Sequence, residues 1–290
     1  MVTTQLERRR DVLQAERFDP EERTETESLI AGGGAEQENV HDADEAEIIL
    51  PHPRLVCRQA SLSSMTTCAL IAAYDEAPRI AEVVSGIRPH VDHVLVVDDG
   101  SADGTEAVAR EAGAEVVRHP LNRGKGTAIR TGLSLLATRA FSHVLLLDGD
   151  MQHAPDDAPR LIEAARRGHG DFILGERPFD RRTTPRSRYY TNTISSWVIS
   201  TCFIGQRVAD AQSGFRLIDT NLLRRVRLSG RGYEIETEML IKLARRGARI
   251  ARVPIGLHYH DSSSKLRPLR DTTRTCFLAV RYRFFPERFQ

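Results

Sequence analysis

Cysteine is scarce in this sequence, and its few copies are not grouped. The four cysteines, Cys57, Cys68, Cys202 and Cys276, are widely separated, and no C-x-x-C pair occurs. Neither a zinc ribbon nor a redox dithiol motif is therefore indicated. We expect reduced thiols in a cytosolic protein.

Long apolar runs are also missing. No stretch approaches the roughly 20 residues that span a bilayer, and residues 1–11 contain no apolar signal core. We therefore expect a cytoplasmic protein, soluble or peripheral on the cytoplasmic membrane face, with no transmembrane helix or signal peptide.

Net charge is close to zero, but it is unevenly distributed. The formal net charge is +1, although residues 1–64 carry 14 acidic and only 7 basic residues. This predicts an acidic, disordered N-terminal extension over 1–64, followed by a folded domain over 65–268. The alternation of Arg with Phe, Leu and Val predicts an amphipathic helix over 269–290, which either lies on a membrane face or packs on the domain through Phe277, Leu278 and Val280. The basic balance of the remainder suits phosphate-bearing partners or an anionic membrane surface, and no nucleic-acid partner is expected.

Two common nucleotide-binding motifs are absent. No G-x-G-x-x-G follows the first predicted strand, which argues against a dinucleotide-binding dehydrogenase. Gly124-Lys125-Gly126 lacks the spacing and the Ser/Thr of a P-loop, so it is either a flexible turn or a segment that brings Lys125 near a site. His258 and His260 have no second cluster beside them, which favours solvent exposure over metal ligation.

Strands and helices alternate from Thr67 onward, which predicts an α/β fold with a mostly parallel sheet. The predicted strands cover 68–73, 93–97, 115–118, 144–147, 171–174 and 249–253. The predicted helices cover about 78–87, 104–112, 127–137, 158–167, about 190–204 and 234–246.

Polar side chains follow three of these strands at the points where they end: Tyr74 and Glu76, Asp98 and Asp99, and Asp148 and Asp150. The carboxyl ends of parallel strands meet at one edge of a sheet, where ligands bind in open α/β folds. One such end is more often a solvated turn, but three together predict a site. Two carboxylates separated only by Gly149 repel each other unless a cation or proton relieves them, and Mg²⁺ prefers such oxygen ligands.

The motifs that follow these strands resemble those of family 2 glycosyltransferases in type and order. They are Tyr74-Asp75-Glu76, Asp98-Asp99-Gly100-Ser101 with Asp103-Gly104-Thr105, Gly124-Lys125-Gly126, Asp148-Gly149-Asp150 with Gln152-His153, and Gln212-Ser213-Gly214-Phe215-Arg216. The resemblance covers about 66–265 and is greatest to the branch that contains dolichyl- and polyprenyl-phosphate sugar synthases. It implies a single-domain GT-A fold, a GDP- or UDP-sugar donor, Mg²⁺ or Mn²⁺, and inversion at the anomeric carbon.

The resemblance also assigns roles to individual residues. The donor would be bound by Ala73, Tyr74, Glu76, Asp98, Asp99, Lys125, Asp148, Gly149 and Asp150. The metal would be held by Asp148, Asp150 and Gln152. The acceptor would be bound by Arg177, Arg186, Arg188, Ser213 and Arg216. The catalytic set would comprise Asp150, Arg186, Arg188 and Lys265, with Lys265 in a mobile loop over the donor.

The sequence departs from the family pattern at Ala72, Asp75, Glu176 and Ala211, where proline, asparagine, serine and threonine are usual. Residues 177–196 also align poorly, so the acceptor is less determined than the donor.

A lipid phosphate, already ionised at neutral pH, needs little help from a base and is best held by arginines. A hydroxyl acceptor would instead need a carboxylate base, for which Asp210, Glu236 and Glu238 are candidates. A nucleotidyltransferase and a catalytically silent nucleotide-sugar-binding protein are further hypotheses.

Overall fold

A computed structural model describes residues 65–178, 184 and 186–256, with the backbone alone at 186–188 and 191. The predicted N-terminal extension, the C-terminal helix, Lys265 and the pair His258 and His260 lie outside the described residues. Within the described part of the chain, no helix is long and apolar enough to cross a membrane.

Seven strands and seven α-helices make up this part of the chain. The strands are β1 (Thr67–Ala73), β2 (His93–Asp98), β3 (Glu115–Arg118), β4 (His143–Asp148), β5 (Phe172–Glu176), β6 (Arg216–Asp219) and β7 (Ile250–Pro254). The helices are α1 (Ala77–Ile87), α2 (Thr105–Glu111), α3 (Lys125–Leu136), α4 (Ala158–Arg166), α5 (Arg186–Ile199), α6 (Thr220–Leu223) and α7 (Glu234–Arg245).

The strands form one mixed sheet in the order β3-β2-β1-β4-β6-β5-β7. β1 pairs in parallel with β2 on one side and β4 on the other, and β2 pairs in parallel with β3. β6 is antiparallel to both β4 and β5, while β5 and β7 are parallel. The predicted α/β class with a mostly parallel sheet is therefore confirmed.

Helices cover both faces of the sheet, which explains why the central strands are apolar on both sides. Leu70, Leu95 and Leu146 face a core that includes α3 and α7 residues. The alternate residues of the same strands face a second core, built with residues of α1 and α4. Because successive side chains of a strand point to opposite faces, one continuous apolar run supplies both cores.

Several boundaries differ from the prediction, and one strand was not predicted. β6 has only four residues and charged ends, so it offers no alternating pattern long enough to indicate a strand. The helix expected over 190–204 begins at Arg186 and ends as an α-helix at Ile199, followed by a π-helical turn over Ser200–Ile204. α3 begins at Lys125, two residues earlier than expected, and β5 extends to Glu176.

Candidate active site

The acidic ends of β1, β2 and β4 lie side by side, as the parallel arrangement predicted. In the strand register, Ala73 is opposite Asp98 and Ala72 is opposite Asp148. A Cβ atom at Gly149 would lie 3.4 Å from the Cβ of Ala73 and 3.6 Å from the Cγ of Glu76. The loops after β1 and β4 are therefore in contact.

The loop after β1 is tied to the loop after β2 through backbone groups. The Asp75 N–H donates to Ser101 Oγ at 2.9 Å, and the Glu76 N–H donates to Thr105 Oγ1 at 2.8 Å. Glu76 is 7% exposed, with its carboxylate 3.5 Å from the guanidinium of Arg79, whereas Tyr74 is 37% exposed. The loop thus fixes the backbone of Glu76 and leaves an aromatic ring at the surface.

Backbone strain concentrates in the loops of this site. Among the described residues, Asp75 (φ 49°) and Met151 (φ 58°) are the non-glycine residues with positive φ. One follows β1 and the other follows β4. Such conformations persist only where the surrounding structure fixes them, and they are concentrated at functional sites.

The two carboxylates that end β2 are buried and hold different segments. Asp98 Oδ1 accepts hydrogen bonds from the N–H and hydroxyl of Ser101. Asp99 accepts from the N–H groups of Arg123 (3.0 Å) and Gly124 (2.7 Å), and His119 Nδ1 lies 2.6 Å from Asp99 Oδ1. Asp99 therefore fixes the chain immediately before α3.

Gly124-Lys125-Gly126 is a close-packing motif rather than a phosphate loop. A Cβ at Gly124 would lie 2.4 Å from the carbonyl oxygen of Arg231, and one at Gly126 would lie 2.6 Å from that of Gly230. The Gly126 N–H also donates to the Arg231 carbonyl at 2.9 Å. Only glycine permits this approach, and it directs Lys125 to the edge of the sheet.

Lys125 and Asp148 form the charged centre of the site. Lys125 Nζ lies 2.7 Å from Asp148 Oδ1 and 2.5 Å from Glu236 Oε1. Burial disfavours the charged form of both groups, but their ionic contacts have the larger combined effect. The charges of Asp148 and Glu236 raise the pKa of Lys125, and the charge of Lys125 lowers the pKa of Asp148. Gly214 allows this arrangement, since a Cβ there would lie 2.6 Å from Asp148 Oδ2.

Asp150 is a partly buried carboxylate next to Asp148. Burial, and then repulsion by Asp148, raise the pKa of Asp150 to about 6. Its Oδ1 accepts the Gln152 N–H at 3.0 Å. No cluster of three or more His, Cys, Asp or Glu suited to a metal occurs among the described residues. Two acids of this kind nevertheless fit a divalent cation that takes its remaining oxygen ligands from a phosphate-bearing substrate.

Arg177, at the end of β5, belongs to a buried ion pair that the sequence did not reveal. Its Nε and Nη2 donate to the two carboxylate oxygens of Asp210 at 2.5 and 3.0 Å. Burial opposes the guanidinium charge, but Asp210 outweighs it and raises the pKa of Arg177. Arg177 also lines a cavity of about 710 Å³ together with Tyr189 and Trp197 of α5.

His153 lies beside this ion pair as a neutral imidazole. It is 3% exposed and stacks on Phe215 at 5.7 Å between ring centroids. Burial, reinforced by the charge of Arg177, lowers the pKa of His153 to about 4. Its Nδ1 is buried and makes no hydrogen bond to the described residues.

Two residues predicted to bind the acceptor are buried in structural contacts. Arg216 is 0% exposed, and its guanidinium donates to the backbone carbonyls of Ser213, Ala211 and Glu236. Ser213 is also 0% exposed. The Ser213 Oγ accepts the Phe215 N–H at 3.3 Å. Both side chains are thus buried against backbone groups, which disfavours a contact of Arg216 or Ser213 with the sugar-accepting substrate. Arg186 and Arg188 lie on α5, but their side chains are outside the described set, as is Lys265.

The three carboxylates considered as bases all have charged partners. Asp210 is paired with Arg177, and Glu236 with Lys125. Glu238 accepts from the N–H groups of Ser229 and Gly230 and pairs with Lys242. The Glu238 contacts hold the segment 229–230, next to which the start of α3 packs. The partners of all three carboxylates disfavour a proton-accepting role.

The residues that the sequence did not single out are mainly partners of predicted ones. Asp99 is contacted by His119, and Asp98 is contacted by Arg118. The ring of Tyr233 lies beside the ammonium of Lys125. They follow no motif, although His119 comes directly after β3 and so shares the strand-end position of the predicted residues.

The chain belongs to glycosyl transferase family 2, whose family model matches residues 68–228. Glycosyltransferase AglJ of Haloferax volcanii is 34% identical over 210 residues, which cover 70% of this chain and 67% of that protein. The UDP-N-acetylglucosamine–dolichyl-phosphate N-acetylglucosaminyltransferase of Methanococcus voltae is 29% identical, covering 67% of this chain and 86% of that protein. The predicted family and enzyme class, a hexosyltransferase, are confirmed.

The fold is shared with a solved glycosyltransferase. Glucosyl-3-phosphoglycerate synthase from Mycobacterium tuberculosis, crystallised with Mn²⁺, UDP-glucose and phosphoglyceric acid, superposes with a TM-score of 0.61 at 24% identity. The match covers 76% of this chain and 80% of that chain. It confirms the predicted GT-A architecture.

Proposed function

We propose that this glycosyltransferase transfers a sugar from a UDP- or GDP-sugar to a polyprenyl phosphate, with inversion at the anomeric carbon. The observation that carries the proposal is the convergence of Glu76, Asp98, Asp148 and Asp150 at one sheet edge. The named dolichyl-phosphate enzyme among the relatives supports the acceptor class.

The donor is assigned to the ends of β1, β2 and β4. Tyr74 offers an exposed ring to the nucleobase, whereas Glu76 and Asp98 are buried at the same sheet edge. We assign their carboxylates to hydrogen-bond donors on a nucleoside that enters this edge. Lys125 supplies a cation for the diphosphate. Ala73 and Gly149 pack closely where β1 and β4 end, and we assign their backbone to the floor of the donor site.

The cation is assigned to Asp148, Asp150 and Gln152, and the Mn²⁺ bound in the related crystal structure supports a divalent ion. When bound, it would neutralise the charge that develops on the leaving nucleoside diphosphate. Burial and the charge of Asp148 raise the pKa of Asp150. A cation bound between the two carboxylates would offset both effects and favour the ionised form of Asp150.

The acceptor is assigned to the cavity beside Arg177. A phosphate monoester, with a second pKa of about 6, is largely ionised at neutral pH and needs little proton removal. The charged partners of Asp210, Glu236 and Glu238 fit this chemistry better than a hydroxyl acceptor that needs a base. Arg186, Arg188 and Lys265 remain proposed contributors, and a peripheral position on an anionic membrane would bring the lipid to them.

The test is an assay of the full-length protein with UDP- and GDP-sugars, Mg²⁺ or Mn²⁺, and undecaprenyl phosphate. We expect nucleoside diphosphate release that depends on the lipid, with labelled sugar entering the organic phase. Release that requires a soluble hydroxyl acceptor would overturn the acceptor assignment. Pyrophosphate release would instead indicate a nucleotidyltransferase.

A further inference from the structure

The ammonium of Lys125 occupies the position of a counter-cation at Asp148. Its Nζ lies 2.7 Å from Asp148 Oδ1, 2.5 Å from Glu236 Oε1 and 5.2 Å from the ring centroid of Tyr233. The Lys125 side chain is 14% exposed. Two carboxylates and the electron-rich face of an aromatic ring thus surround one buried positive charge.

This position is fixed by the backbone on both sides of Lys125. Gly124 and Gly126 pack against the carbonyl groups of 230–231, and Asp99 accepts the Gly124 N–H at 2.7 Å. The lysine is the first residue of α3 and therefore cannot move far without disturbing the helix start. Its ammonium contacts Asp148 and Glu236 at the same time, so one ion pair remains if the other is lost.

Asp148 is also one of the two carboxylates assigned to the divalent cation. A metal ion on this carboxylate would be repelled by an ammonium that donates a hydrogen bond to the same group. Lysine and metal therefore compete for Asp148 as long as no further negative charge is present. Glu236 gives the ammonium a second anchor when it leaves Asp148.

We propose that Lys125 holds Asp148 until a donor arrives, so that metal binds weakly without nucleoside diphosphate and tightly with it. The diphosphate brings negative charge that the ammonium and the metal can share. The inference rests on the proposed function, because it places a metal and a nucleoside diphosphate at this edge. It adds an order of binding, in which the metal binds tightly only together with the nucleoside diphosphate.

Mn²⁺ binding to the full-length protein tests the proposal, measured by calorimetry and by electron paramagnetic resonance with and without UDP or GDP. The variants are Lys125→Gln and Lys125→Met, which remove the charge, and Lys125→Arg, which keeps it. Without nucleotide, the two neutral variants should bind Mn²⁺ about tenfold more tightly than wild type. Lys125→Arg should stay close to wild type.

Equal or weaker Mn²⁺ binding by the neutral variants overturns the proposal. Circular dichroism establishes whether each variant is folded. If neither neutral variant folds, Glu236→Gln takes their place, because it removes the other partner of the Lys125 ammonium. With the ammonium left on Asp148, Mn²⁺ should bind more weakly than to wild type without nucleotide, and equal or tighter binding overturns the proposal. Failure of the proposed function is distinguishable, since wild type would then bind neither UDP nor GDP in the presence of Mn²⁺.

Discussion

Replacement of Asp99 by alanine tests whether this residue organises the site rather than contacting the donor. The resemblance to family 2 enzymes assigned Asp99 to donor binding. In the structure its carboxylate is 2% exposed and accepts hydrogen bonds from two backbone N–H groups, with His119 Nδ1 2.6 Å away. These partners belong to the segment that precedes Lys125.

The expected loss of stability follows from the hydrogen-bonding groups that would have no carboxylate in the alanine variant: the N–H groups of Arg123 and Gly124, and the ring of His119. Each buried donor without an acceptor costs about 1–3 kcal/mol, and charge-assisted bonds lie at the upper end. Arg123 and Gly124 are partly accessible, so water can compensate in part. Asp99→Ala should therefore lower the free energy of unfolding by about 3–5 kcal/mol, which for a domain of this size lowers Tm by about 8–15 °C.

Urea titration followed by circular dichroism measures the effect, and Asp103→Ala is the matched control. Asp103 also accepts two backbone N–H groups, from Ala77 and Thr105, but it lies at the surface. Its loss should cost only about 1 kcal/mol, because water can satisfy the N–H groups that it leaves. Equal effects of the two substitutions would refute the role of Asp99 as a buried organiser.

Three further predictions concern the site and the sheet. Asp150→Asn should lower sugar transfer by about 10²–10³-fold without lowering Tm, since burial already disfavours its charge; nucleoside diphosphate release and a thermal melt measure this, and full activity would contradict it. Gly126→Ala should cost about 1–3 kcal/mol in urea titrations, because the new Cβ would lie 2.6 Å from the carbonyl oxygen of Gly230; an unchanged midpoint would count against the packing role. Glu115, whose pKa is lowered to about 2 by hydrogen bonds from Arg139, stabilises the fold above its unfolded pKa and loses this effect as pH falls toward 2. Glu115→Gln should thus cost about 0.5–1 kcal/mol at pH 7, after allowance for solvent screening, and much less near pH 2; a pH-independent difference would contradict the ion pair.

The sequence was sufficient to predict the shared sheet edge, because that prediction depends on local patterns and one topological rule. Apolar runs that end in Glu76, Asp98 and Asp148 mark strands, and parallel strands bring such ends together. The strand order β2-β1-β4 shows this arrangement directly. The regular first half of the domain was therefore predicted more closely than the second.

The contacts between distant segments were not predictable in the same way. Arg177 and Asp210 are separated by 33 residues and belong to no common motif, yet they form a buried bidentate pair. Lys125 and Glu236 are 111 residues apart. Such pairs depend on how β6 and α7 pack beside β4, and the short β6 gave no recognisable strand pattern.

The role of an individual polar residue was harder to predict than its presence at the site. Asp99 and Arg216 are part of motifs that resemble those of the family, but their side chains bond to backbone groups of the protein. A motif records that a residue type is needed at a position. It does not distinguish a contact with substrate from a contact that shapes the loop around it.

A crystal structure with Mn²⁺ and a nucleoside diphosphate would test the central claim most directly, through the anomalous signal of the metal. We predict an anomalous peak bound by the carboxylates of Asp148 and Asp150, with the nucleoside against Glu76 and Asp98. A peak and a nucleotide located away from the ends of β1, β2 and β4 would contradict the account.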